Sequence, residues 1–291
     1  MLRIGVDLGG TKIELAALDE SGAERVRSRV PTPRSNYAET VAAIVSLVED
    51  AERELGARAT VGVGIPGALS RVTGLVKNAN STHLIGHDLK GDLERALGRE
   101  VRIANDANCF ALSEAVDGAG KGADVVFGVI LGTGVGGGIV VHGRVLTGPN
   151  AIAGEWGHNP LPAPREEDLP LPRCYCGRSG CIEAYLSGPK MAEDHFRRTG
   201  ERLEPEAIAA RGGTTMERYE ARLARALAGV INALDPDVIV LGGGMSNIRR
   251  LYRNVPELWK EHVFSDHVAT RLEPNVHGDS SGVRGAAWLW G

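Results

Sequence analysis

Residues 3–12, Arg3-Ile-Gly-Val-Asp7-Leu-Gly-Gly-Thr-Lys12, carry the clearest structural signal in the chain. A short apolar run breaks at two glycines, and a second run, Ile13 to Leu18, follows at once. That pattern predicts a strand, a tight turn and a returning strand. It recurs about 120 residues later: Val125 to Leu131 is apolar, Gly132-Thr-Gly-Val-Gly-Gly-Gly138 follows, and Ile139 to Val141 reads as the returning strand. Two hairpins of one design imply a duplicated architecture.

Around these hairpins, helical and strand patterns alternate. Val41, Ile44, Val45 and Val48 recur at helical spacing within 36–55, and Val61 to Ile65 reads as a buried strand. Val101 to Ala104 is another strand, running through Asn105-Asp106 into a helix over Ala107 to Val116. A helix over Glu217 to Leu234 precedes a buried strand, Asp237 to Leu241, which opens into Gly242-Gly-Gly244. The alternation places the chain in the α/β class. The stretch from Pro160 to Pro172, with five prolines and a run of charges, reads as an irregular excursion.

The chain has 291 residues, enough for a core that needs no disulfides. It is 43% hydrophobic and 24% charged, which excludes a disordered tail protein. Lys and Arg number 33 against 37 Asp and Glu, a net charge of −4 that argues against a nucleic-acid partner. Glycine is in excess, 39 residues, without a collagen period, so it must serve tight turns and close backbone approaches. The sequence has no run of 18 apolar residues and no signal-peptide core, so we expect a cytoplasmic protein without a membrane span.

Three glycine turns follow apolar strands: Gly9-Gly10-Thr11-Lys12, Gly132-Thr133-Gly134 and Gly242-Gly243-Gly244. Glycine lets backbone N–H groups approach a phosphate, and a threonine hydroxyl adds a donor. One such turn is equally a plain hairpin, but three at strand ends point to a nucleotide. Residues 132–137 match a dinucleotide fingerprint, which requires a helix to begin inside the glycine run; here a strand continues, so that reading fails. The P-loop pattern is absent. Asp7, just before the first turn, faces phosphates only if a cation screens it, which suggests Mg²⁺; otherwise it caps its own turn. Asp106, where strand meets helix, is either a helix cap or the base that accepts a proton in phosphoryl transfer.

His158, Cys174, Cys176 and Cys181 form a Cys₃His set, the donor pattern of a closed structural zinc site. Gly177 and Gly180 let the chain fold round the ion. Cys109, in the helix after Asp106, reads as a small buried hydrophobe.

Taken together, these motifs resemble the ROK family of sugar kinases nearly end to end. The resemblance rests on Asp7 to Lys12, on Asn105-Asp106-Ala107-Asn108, on Leu131 to Ile139, on Glu155-x-Gly-His158 and on Cys174-x-Cys-Gly-x-x-Gly-Cys-x-Glu183. It implies a two-lobed actin/hexokinase-like (ribonuclease H-like) ATPase fold with a small zinc-binding loop over 158–183. The N-terminal lobe would span 1–115, with the helix at about 279–291 packing back on it, and the C-terminal lobe 116–278. It also implies that Asp106 deprotonates a sugar hydroxyl, that Asn105, Glu155, His158 and Glu183 hold the sugar, and that the three glycine turns hold ATP with Mg²⁺. His158 would place one ring nitrogen on zinc and the other on the sugar. Asn78 and Asn80 are weaker candidates for the sugar site. Relatives are often dimers, so a homodimer is expected. Glu155 to Pro162, Lys77 to Thr82 and the tail 278–288 look most like bacterial fructokinases, making D-fructose the expected substrate. N-acetylglucosamine, mannose or glucose is the alternative, and a sugar sensor without turnover a more remote one.

Overall fold

Both hairpins form, and each seeds a sheet of the same topology in the computed structural model, which describes residues 1–33, 36–79 and 81–291. The first half runs β1 (Arg3–Leu8), β2 (Lys12–Leu18), β3 (Glu24–Pro31), α1 (Tyr37–Leu55), β4 (Thr60–Ile65), the short pair β5 (Ala68–Leu69) and β6 (Val76–Lys77), α2 (Leu89–Leu97) and β7 (Val101–Asn105). Its five-stranded sheet has the order β3-β2-β1-β4-β7, an antiparallel meander followed by two parallel strands. The second half runs α3 (Asp106–Val116), β8 (Val125–Leu131), β9 (Val135–Val141), β10 (Arg144–Val145), α4 (Glu183–Leu186), α5 (Gly188–Thr199), α6 (Pro205–Arg211), α7 (Thr214–Leu234), β11 (Val238–Gly242), α8 (Leu251–Trp259), β12 (Arg271–Pro274) and α9 (Ser281–Trp288). Its sheet, β10-β9-β8-β11-β12, repeats the first strand for strand.

The strand expected from Ile139 begins four residues earlier, at Val135, so Gly136, Gly137 and Gly138 pair within the ladder to β8. These glycines make room for neighbours. A Cβ on Gly137 would lie 2.6 Å from the Trp156 ring, and one on Gly138 would lie 2.4 Å from the Ala107 carbonyl oxygen.

Two helices join the halves. α9, from the end of the chain, lies on β1 and β4, whereas α3 lies on β8 and β9, and the two helices pack on each other. Side chains would prevent these approaches. A Cβ on Gly5 would fall 1.9 Å from the Val283 oxygen, and one on Gly285 would fall 1.6 Å from the Cys109 oxygen. By packing, α3 lies with the second sheet and α9 with the first. Each lobe has its own apolar core, and a third cluster, including Leu18, Phe110, Val126, Val240 and Trp288, fills the crossing between them. Among the described residues no helix is long and apolar enough to cross a membrane.

Candidate active site

The end of β7 and the start of α3 set the centre of the site. Asn105, not Asp106, caps α3: its Oδ1 accepts from the N–H groups of Ala107 (2.9 Å) and Asn108 (3.3 Å), and its Nδ2 donates to the Gly67 carbonyl (3.0 Å). With the cap supplied by its neighbour, Asp106 is the first helical residue and lines the gap between the lobes. Burial pushes its carboxyl up to about 6. The Ala107 N–H, 2.8 Å from Oδ1, pulls the other way, and the charge of Glu155 reinforces the rise.

Two cavities meet at this carboxylate. One, of about 280 Å³, is walled by Asp7, Gly9, Gly10, Asp106, Gly243 and Asp279, among others. The other, of about 170 Å³, contains Asn105, Asp106, Glu155, His158, Tyr175 and Glu183. All four residues expected to hold a sugar thus share one cavity, although they come from β7, from the loop after β10 and from α4. In the first cavity burial, together with the charges of Asp106 and Glu14, pushes the Asp7 carboxyl up to about 7. Three carboxylates and no Lys or Arg line that cavity among the described residues. An all-oxygen donor set of this charge fits a hard divalent cation such as Mg²⁺.

The metal-ligand set also assembles. One donor atom from each of His158, Cys174, Cys176 and Cys181 lies within 4.8 Å of all the others. Cys176 Sγ is 3.6 Å from Cys181 Sγ, and Cys174 Sγ is 3.7 Å from His158 Nδ1. Zn–S bonds of about 2.3 Å give tetrahedral edges of roughly 3.8 Å, so the residues fit zinc. His158 turns Nδ1 toward this cluster, leaving Nε2 3.1 Å from the Tyr175 hydroxyl beside the cavity. Glu183 is tied to the same loop: its Oε1 accepts from Cys174 Sγ (3.8 Å), and its Oε2 accepts from the Val135 N–H (2.9 Å).

The glycine turns separate in space. Gly9, Gly10 and Gly243 line the Asp7 cavity, with Gly243 at φ +78°. Gly132, Thr133 and Gly134 line the Glu183 cavity instead. A Cβ on Gly134 would sit 2.8 Å from Glu183 Oε2, so this glycine makes room for an acid. Gly242 is the last residue of β11, where a Cβ would meet the Phe110 ring at 2.5 Å. Gly244 opens onto a third cavity of about 450 Å³ with Pro205, Ala209, Met245 and Ile248. Thr11 and Lys12 reach neither cavity around Asp106; Thr11 is exposed, and Lys12 Nζ lies 3.2 Å from Glu14. Asn78 lines the Glu183 cavity, and Asn80 lies outside the described residues. Tyr175 and Asp279 join the lining beyond the residues expected from the motifs. Tyr175, between two cysteines and 78% exposed, has a signal in its position on the metal loop, and Asp279 has one in the 278–288 tail motif.

The ROK family model matches residues 3–291. An N-acetyl-D-glucosamine kinase of Pectobacterium atrosepticum is 41% identical over 296 residues, covering 98% of this chain and 97% of its own. One from Salmonella typhimurium is also 41% identical over 296 residues, covering 98% of each chain. Among solved structures, a ROK hexokinase from Thermus thermophilus superposes with a TM-score of 0.86 at 32% identity, covering 99% of this chain and 97% of the other. A ROK glucokinase from Streptomyces griseus, in complex with glucose and AMPPNP, gives 0.78 at 28% identity, covering 99% of each. These similarities favour N-acetylglucosamine kinases over the fructokinase subgroup expected from the motifs. With the family model spanning almost the whole chain, and the two-lobed hexokinase-like fold in place, the protein belongs to the ROK family.

Proposed function

We propose that the protein is an ATP-dependent hexose kinase that phosphorylates the 6-hydroxyl of N-acetyl-D-glucosamine. The observation that carries this reading is the position of Asp106 in the shared wall of two cavities, one acidic and glycine-lined, the other lined by polar residues. Phosphoryl transfer needs little covalent chemistry from the protein beyond positioning, charge stabilisation and a base. Asn105, Glu155, His158 and Glu183 hold the sugar hydroxyls. The loops at Gly9-Gly10 and Gly243 hold the phosphates, and the apolar cavity at Gly244 and Met245 seats the nucleobase. Asp106 takes the proton of the 6-hydroxyl as that oxygen bonds to the γ-phosphorus and the β–γ bridging oxygen leaves with ADP. Asp7 and Asp279 would hold Mg²⁺, which neutralises charge on the phosphates. The Cys₃His set would hold a structural zinc that fixes the His158 ring, so that Nε2 is presented to the substrate. Closure of the lobes excludes water, which would otherwise accept the phosphoryl group.

D-fructose is the second reading, favoured by the 155–162, 77–82 and 278–288 motifs. A coupled ADP-release assay over N-acetyl-D-glucosamine, D-fructose, D-mannose and D-glucose decides between them. The proposal expects the highest kcat/KM with N-acetyl-D-glucosamine. Preference for fructose would replace it with the second reading. Absence of turnover with every sugar would leave the non-catalytic sensor.

A further inference from the structure

The proline-rich segment between His158 and Cys174 is fastened to the lobe by an ion network whose centre, Asp168 with Arg222 and Arg225, is buried. Asp168, 0% exposed, accepts at Oδ1 from Arg222 Nε (2.7 Å) and at Oδ2 from Arg225 Nη2 (2.8 Å) and the Arg165 N–H (2.8 Å). Arg222 continues to Asp194 (3.1 Å), which Arg197, Arg198 and Arg218 also approach. Burial alone would raise the Asp168 carboxyl, but the Arg165 N–H and the two guanidiniums outweigh it and hold the group below the ordinary carboxylate range. Ala163 O accepts from Arg225 Nη1 (2.6 Å), and Glu167 O accepts from Arg222 Nη2 (3.3 Å).

This segment is also stitched to the elements that carry the site. Leu161 N–H donates to Gly180 O (2.8 Å), Gly180 N–H to Pro172 O (2.8 Å) and Ile182 N–H to Asn159 O (2.9 Å). The Tyr185 hydroxyl donates to the Asp168 carbonyl (3.0 Å), with the Arg222 guanidinium 5.1 Å from the tyrosine ring. Tyr185 belongs to α4, a single turn of helix that begins at Glu183. A four-residue helix has too few internal hydrogen bonds to hold its own orientation. Its placement comes from tertiary anchors, and two buried ones are polar: the Tyr185 hydroxyl on the Asp168 carbonyl, and the Tyr219 hydroxyl, which donates to the Leu186 carbonyl (2.8 Å).

We propose that Asp168, acting through Tyr185, is a positioning residue that fixes Glu183 in the sugar cavity, so that the insert sets sugar affinity without touching sugar. A buried ion pair adds little net stability, and removing one partner leaves a costly unpaired charge. The inference rests on the hexose-kinase reading for its kinetic arm only. The Val135 N–H, which donates to Glu183 Oε2, reports the acid's position without any substrate.

The test is Tyr185→Phe, which removes one hydroxyl and leaves every guanidinium–carboxylate pair intact. NMR-detected exchange of the Val135 amide should quicken by about two- to twelvefold, the value of one hydrogen bond, and sugar KM should rise by a similar factor. kcat, KM for ATP and Tm should stay within about twofold or 2 °C of wild type. Asp168→Asn should show the same KM-selective change, larger, if it folds. Unchanged Val135 exchange in Y185F overturns the proposal, as does faster exchange with unchanged sugar KM in an active enzyme. A wild type inert toward every hexose defeats the functional reading, and the amide result then decides this one.

Discussion

Replacing Asp106 by Asn tests the centre of the site in two independent ways. The carboxyl is raised to about 6, so at pH 7 roughly ten carboxylates stand for each neutral acid. It is therefore ionised, yet more basic than an exposed aspartate. A positioned base contributes about 10²–10⁴ in rate, so kcat for D106N should fall by that factor, about 3–5 kcal/mol of barrier. Sugar affinity, measured by titration calorimetry, should hold within about threefold, because the other polar groups of the cavity remain. In the wild type, kcat/KM should fall about tenfold per unit as pH drops below about 6, where the base becomes protonated.

Stability should move the opposite way. A carboxyl whose pKa is raised on folding penalises the native state increasingly as pH rises above the unfolded value, and fully once pH exceeds the folded one. The penalty disappears as pH falls toward the unfolded value of 3.8. Because Asp106 is partly open to the cleft, the penalty at pH 8 is on the order of 2 kcal/mol. D106N keeps an oxygen for the Ala107 N–H and removes the charge. Without ATP or Mg²⁺ its Tm should thus exceed wild type by a few degrees at pH 8 and match it near pH 4. Turnover within tenfold of wild type refutes the base. A lower Tm at pH 8 refutes the burial argument.

Three further outcomes are expected. Chelation of zinc should lower Tm and raise sugar KM together, because the same loop carries His158 and leads into Glu183; elemental analysis should find one zinc per chain, and a chelator-insensitive Tm would remove the Cys₃His assignment. Gly134→Ala places a Cβ 2.8 Å from Glu183 Oε2, so steady-state kinetics should show sugar KM up by about tenfold with KM for ATP within about twofold. Gly285→Ala drives a Cβ to 1.6 Å from the Cys109 carbonyl in the α3–α9 crossing; backbone against backbone cannot yield by rotamer change, so urea denaturation should show a loss of at least about 3 kcal/mol.

Local patterns were readable wherever local physics suffices. Val125 to Leu131 and Val238 to Leu241 are strands because continuous apolar residues must be buried on both faces. The 214–234 helix follows its apolar spacing. The glycine runs were harder, because one residue type serves two physical ends. Glycine permits a phosphate turn and equally permits a helix or ring to press on a strand, and no neighbour in sequence tells which. Gly9 and Gly243 line the Asp7 cavity, whereas Gly137 and Gly242 yield space to Trp156 and Phe110. Lys12, expected at the phosphates, stands two residues from Glu14 on one face of β2 and pairs with it in this structure.

The element pattern, the duplicated hairpins, the Cys₃His donor set and the carboxylate at the head of α3 are legible without coordinates, since each depends on residues close in the chain. Only the assembled fold brings Asp168 to Arg222 and Arg225. It also decided that Asp106 borders two cavities at once. Those facts join residues far apart in the chain, and their pairing is set by how two sheets and two crossing helices fill space, which composition and spacing do not encode.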